Sequence, residues 1–233
     1  QRLGAGFAQR AGDALVWAAR EKPQWLDNPV LQMKFWPAVG ETLLMVGIST
    51  VITVLLGLPL GLLLASSASG GLKPRPATNQ VLGAVVNIVR SFPFMILIIA
   101  LLPFTRFLVG TALGWKPFVV TLVIGAVPFF ARLVETNVSA VEPGKIEAAQ
   151  MMVQVREALP ALVQSATLLF ITLVGYSAMA GVVGGGGLGA LAINYGYQQW
   201  MDDVMIVTIV AIVIIVQGVQ MLGDMISRLV DHR

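Results

Sequence analysis

The chain has 233 residues, 57% of them hydrophobic and only 12% charged, with a mean hydropathy of +0.83. Soluble domains carry roughly a quarter charged residues, so this composition excludes an ordinary soluble fold and indicates an all-α integral membrane protein. Cysteine is absent and the one histidine is His232, which leaves no disulfide, thiolate metal site or histidine-based catalytic centre; a net charge of +3 fits membrane topology rather than nucleic-acid binding.

Residues 1–37 are comparatively polar, with Trp17, Trp25 and Trp36 interspersed among charges. No run there approaches the ~20 apolar residues of a span, so an amphipathic, interfacial extension is expected. The membrane domain is placed at 38–233. Its first span, Thr42 to Ala65, is free of charge and contains Gly57, Pro59 and Gly61. A second apolar region, Val81 to Gly110, is interrupted by Arg90-Ser91-Phe92-Pro93. Pro93 cannot continue the backbone ladder, so a bend or break is expected there. Arg90 lies inside this apolar run, where a charge faces a cavity or caps the broken helix. The third span is expected over Pro117 to Phe130, extending toward Val134. The fourth runs from about Ala161 to Val183 and the fifth from Val204 to about Leu222, giving five transmembrane helices.

Between the third and fourth spans lies a polar island, Glu142 to Pro160, reading EPGKIEAAQMMVQVREALP. Glu147-Ala148-Ala149 is strongly helix-forming and Pro143 suits a first turn, so an exposed amphipathic helix is expected. Lys73, Arg75, Arg132, Lys145, Arg156, Arg228 and Arg233 fall on the island's side, against Arg106, Lys116 and the N-terminal basic residues on the other. The excess places the island and the C-terminus in the cytoplasm and the N-terminus outside.

Gly184-x-Gly186-x-x-Gly189 matches a dinucleotide fingerprint, but that site needs a strand before it and a helix after it. Here an apolar span precedes it, so the glycines read as a helix end with a tight turn or a close backbone crossing. NYGYQQW (194–200) reads as an aromatic loop. No phosphate-binding G-x-x-x-x-G-K-[ST] occurs, and Glu135 and Asp224 sit only at span ends. Proton coupling through buried carboxylates is therefore poorly supported, and energy has to come from a partner.

With EAA followed by an ALP segment between spans three and four, the island resembles the coupling loop of a bacterial ABC-importer permease. NIVRSFPF (87–94), LPFTRFLVGTALG (102–114), PFFARLVE (128–135), LVGYSAMAGVVGGGGLG (173–189) and NYGYQQW together resemble the permease subunits of methionine importers, over about residues 38–233. The resemblance implies the type I importer permease fold with a cytoplasmic coupling helix, in the bacterial inner membrane. It implies a homodimer of this chain, two ATPase subunits and a periplasmic methionine-binding lipoprotein, with the lipid bilayer around them. ATP and Mg would belong to the ATPase, and no cofactor, metal or catalytic residue to this chain. By the same carry-over, Glu142, Gly144, Lys145, Glu147, Ala148, Ala149 and Met152 couple to the ATPase. Tyr176, Ser177 and Met179 line the gate and pathway, and Gly186, Gly187, Tyr195 and Tyr197 face the binding protein; Arg90 joins the pathway on its place in the apolar run alone. Met179 also reads as ordinary helix packing.

One departure stands out. Related loops carry roughly ten more residues between the EAA helix and the Leu-Pro segment, whereas here Val153 follows Met152 directly. Either the loop is shortened or residues are missing from the chain at that junction, and the second is expected. An importer for another amino acid, an ATP-independent channel or secondary transporter, and a non-transporting scaffold remain as alternative functions.

Overall fold

Prolines and glycines divide this apolar chain into helices, and no strand forms among the described residues. The computed structural model describes residues 28–68, 71, 74–140 and 150–230, excluding the side chains of 150–156. The helices are α1 Pro29–Ser67, α2 Pro76–Ser91, α3 Phe94–Val109, α4 Trp115–Ser139, α5 Gln150–Val182, α6 Gly187–Leu191 and α7 Asp202–Val230, with a π-helical turn, Ala192–Tyr197, after α6. Helices α1, α4, α5 and α7 are each long and apolar enough to cross a membrane. The pair α2–α3, bent by 101° at Phe92-Pro93, gives a fifth crossing when counted as one span. The break at Pro93 therefore lies where the sequence places it, because proline offers no N–H and bars the preceding residue from helical geometry. Pro103, Pro128 and Pro160 are carried inside helices.

Several boundaries differ from expectation. Asn28 caps α1 by accepting from the Val30 N–H at 2.8 Å, so the helix runs through position 37 and residues 29–37 are continuous with the first span. Helix α4 reaches Ser139. Helix α5 begins at Gln150 although its apolar part starts only at Glu157. The second half of the polar island is thus the beginning of the fourth spanning helix, not a separate element. Met152 and Val153 lie within that helix.

Helix α1 packs chiefly on α4. Their approach is closest at Gly57 and Gly61, where the side chains of Phe130 and Val134 fill the space a Cβ would need; such small residues let helices meet closely in lipid. The main core joins α1, α4 and α5 through Met45, Phe118, Leu122, Phe130, Leu169 and Leu173. At one end, Arg132 pairs with Glu135 at 2.5 Å and donates to Asn87 Oδ1 at 3.1 Å, tying α2 to α4. Near the same end Asn137 donates to Ser165 Oγ at 2.7 Å, and Ser227 to the Pro160 carbonyl at 3.2 Å. At the other end, the start of α1, the α3–α4 turn, the glycine turn and the start of α7 converge. Asn28 Nδ2 donates to Asp203 Oδ2 at 2.6 Å and the Gly114 N–H to the Gly184 carbonyl at 2.9 Å.

Candidate functional site

The glycine run forms the close crossing expected of it. Gly184, Gly186 and Gly187 have φ of 90°, 75° and 72°, a region that side-chain-bearing residues rarely occupy, and they reverse the chain from α5 into α6. A Cβ on Gly181 would lie 2.2 Å from the Ala190 nitrogen, and one on Gly189 2.5 Å from the Ala178 Cα. Helix α6 therefore lies backbone to backbone against the end of α5. Asn194-Tyr195-Gly196-Tyr197, expected as loop, belongs to the π-helical turn, and only Gln198-Gln199 form a turn before Trp200.

The carried-over residues fall into two described groups. In the first, Tyr176 on α5 stacks on Phe94 at the start of α3, with ring centroids 4.0 Å apart and planes 10° apart. Offset or stacked aromatic pairs add about 0.5–1.5 kcal/mol beyond burial, so the pair fixes the break in the second span against the fourth. Ser177 is buried one residue on and its hydroxyl donates to the Val174 carbonyl at 2.7 Å. Met179 is 44% exposed, away from the packed core. Arg90 is exposed in the last turn of α2, where a cation complements the helix C-terminus.

The second group lies at the end bearing the glycine turn. Glu41 Oε2 accepts from the Gly187 N–H at 2.7 Å, and Thr42 Oγ1 accepts from the Leu188 N–H at 2.8 Å. Lys34 donates to the Tyr195 hydroxyl, and its ammonium lies 4.6 Å from that ring's centroid. An open pocket of about 290 Å³ lies among Met33, Lys34, Glu41, Gly186, Asn194 and Tyr195. Tyr197 is 63% exposed and lies 6.3 Å from Trp200, centroid to centroid. Sequence reasoning missed Lys34, Glu41, Thr42 and Phe94. Glu41 is the only acid between Pro29 and Ser67, but it sits just before the apolar run, where a charge reads as the edge of a span.

The coupling residues Glu142, Gly144, Lys145, Glu147, Ala148 and Ala149, and the side chain of Met152, lie outside the described residues. Among the described residues no three His, Asp or Glu side chains gather as a metal site would require.

No protein-family model matches the chain. It is 44% identical over 222 residues to a probable D-methionine transport system permease, MetI, of Vibrio cholerae, covering 90% of this chain and 97% of that one. The chain belongs to the family of methionine transport system permeases. The methionine import system permease MetP of Bacillus subtilis is 46% identical over 210 residues, covering 86% of this chain and 95% of that one. Among solved structures, an inward-facing form of the MetNI methionine ABC transporter superposes with a TM-score of 0.85 at 40% identity, covering 88% of this chain and all of the other. An amino acid ABC transporter with 16% identity shares the fold, with a TM-score of 0.65. The match over 222 residues to the Vibrio MetI uses 90% of 233 residues, about 210. About a dozen aligned positions thus fall opposite no residue of this permease.

Proposed function

We propose that this chain is the membrane permease of an ATP-driven importer that carries methionine, in its D or L form or both, across a bacterial inner membrane. The observation that carries the reading is the 44–46% identity to methionine system permeases over nearly their whole length. In the proposed assembly two copies of this chain enclose the pathway. Two ATPase subunits hold ATP and Mg on the cytoplasmic side, and a methionine-binding lipoprotein delivers substrate from outside. This subunit binds no cofactor and makes or breaks no covalent bond; it converts movement of the ATPases into alternating access.

Roles follow for the named residues. Glu142, Gly144, Lys145, Glu147, Ala148, Ala149 and Met152 form the surface that seats on the ATPase. Arg75, Arg132 and Arg228, at the opposite end to the glycine turn, support a cytoplasmic assignment for that end, with the C-terminus beside it and the N-terminus outside. Tyr176, Ser177 and Met179 narrow the pathway: the Tyr176–Phe94 stack holds the broken second span in place, and the flexible apolar Met179 is suited to close against the second copy. Arg90 neutralises the C-terminal end of α2 beside that pathway. Gly186, Gly187, Tyr195 and Tyr197 lie on the face that receives the binding protein.

The test is to replace Glu147 and Ala149 with bulky residues in the assembled complex. Stimulated ATP hydrolysis and methionine uptake are expected to disappear while membrane insertion is retained. Normal coupling in those variants would count against the reading.

A further inference from the structure

We propose that Glu41 and Thr42 are positioning residues that hold the gate at the outer end of the pathway. They fasten the first turn of α6 to α1 and so bias when that end opens. The proposal rests on the reading of this chain as a permease with the glycine turn outward.

The first N–H groups of a helix have no partner within it. Those of Gly187 and Leu188 are both met by α1, through the Glu41 carboxylate at 2.7 Å and the Thr42 hydroxyl at 2.8 Å. The fit leaves no spare room. A Cβ on Gly186 would lie 2.5 Å from Glu41 Oε2, and one on Gly187 2.6 Å from Thr42 Oγ1. Two more links run from the same end of α1 into this region, Asn28 to Asp203 and Lys34 to Tyr195.

The rest of α1 is held differently. From Met45 to Ala65 it lies in the main core against α4, with backbones drawn together at Gly57 and Gly61. Helices α1, α4 and α5 share that core, with α6 lying on the end of α5; to α1 itself the chain from 184 to 203 is attached by polar contacts and one small apolar cluster. That cluster comprises Leu31, Ala38, Leu188, Leu191 and Val204. The Glu41–Gly187 bond, part-buried beside the open pocket, can exchange with solvent, whereas the Thr42–Leu188 bond is buried and a close-packed helix contact cannot loosen without voids. The polar seam is thus where movement is cheapest, and the carboxylate, with its charge-assisted bond, is its strongest single contact. This gives the lone acid of α1 a function.

The chain has no cysteine, so Val204→Cys, at a fully buried member of the cluster, makes a single reporter. The experiment uses the complete complex in proteoliposomes and measures labelling from outside by a membrane-impermeant maleimide, with ATP hydrolysis measured in parallel. Glu41→Ala is expected to speed labelling by about tenfold, the factor from losing one charge-assisted bond in one of two states. It should also raise hydrolysis in the absence of binding protein. Glu41→Gln, whose carboxamide oxygen still accepts from Gly187 but without the charge, is expected to fall between the parent and Glu41→Ala. Thr42→Val removes the acceptor at constant shape and should speed labelling, and Thr42→Ser should restore it, so the Thr42 pair carries the test if Glu41→Ala fails to assemble. Unchanged labelling in both Glu41→Ala and Thr42→Val overturns the proposal, as does equal acceleration by the Gln and Ser variants. Absence of methionine uptake by the parent complex would count against the proposed function, while the labelling would still judge the fastening.

Discussion

A Cβ on Gly61 would lie 2.5 Å from that of Val134 and 2.6 Å from the Ala131 carbonyl oxygen, so α1 and α4 can meet there only through glycine. Helix association in lipid draws on packing rather than on exclusion of water, and a methyl forced into this contact gains no transfer energy to offset its clash. Gly61→Ala is expected to cost about 1–3 kcal/mol, the usual range for overpacking, and to lower the melting temperature of the purified complex. Gly47→Ala, where nothing lies within 4 Å, should leave it unchanged. The same melting temperature for both would remove the steric account. The small residues of this span were legible in the sequence as sites of close approach. Glu41 was not: a charge just before an apolar run reads as the edge of a span, and its partner is a backbone group 146 positions away.

Hydropathy reports where a helix enters the membrane, not where it begins, and the fourth span shows the difference. Its apolar part starts at Glu157, but the helix is already formed at Gln150, because Gln, Met and Arg hold helical geometry about as readily as Leu does. The break at Pro93 was legible because its cause is local and covalent. The π-helical turn at Ala192–Tyr197 was not, since Asn and Gly favour turns and loops and its close neighbour lies on another element: a Cβ on Gly196 would lie 2.9 Å from that of Met205 on α7. Between α4 and α5 this chain is expected to be short by the dozen or so positions that its relatives carry and it lacks. At ~1.5 Å per residue, ten helical residues amount to about 15 Å, a large part of a coupling helix. Inserting the corresponding ten residues of a relative after Met152 is therefore expected to increase ATP hydrolysis stimulated by the binding protein, severalfold or more. An insertion that leaves stimulation unchanged would mean that the shortening lies elsewhere, or that coupling does not depend on it.

What drives the molecule is decided by where its charges are absent. Asp202 and Asp203 open α7 and Asp224 lies near its other end; Glu135 is paired with Arg132 in the last turns of α4, and Glu41 is engaged with α6. Among the described residues none of these carboxylates lies at the middle of a span, where an ion-coupled carrier binds its driving ion. The chain reconstituted alone is therefore expected to take up no more methionine than empty liposomes, whether or not a proton gradient is imposed. With the ATPase and ATP inside and the binding protein outside, uptake should appear and should stop when ATP is withheld. Uptake by the chain alone under a proton gradient would favour a secondary transporter and would place the driving charge among the groups assigned here to fastening and pairing, with Glu41 the first to test.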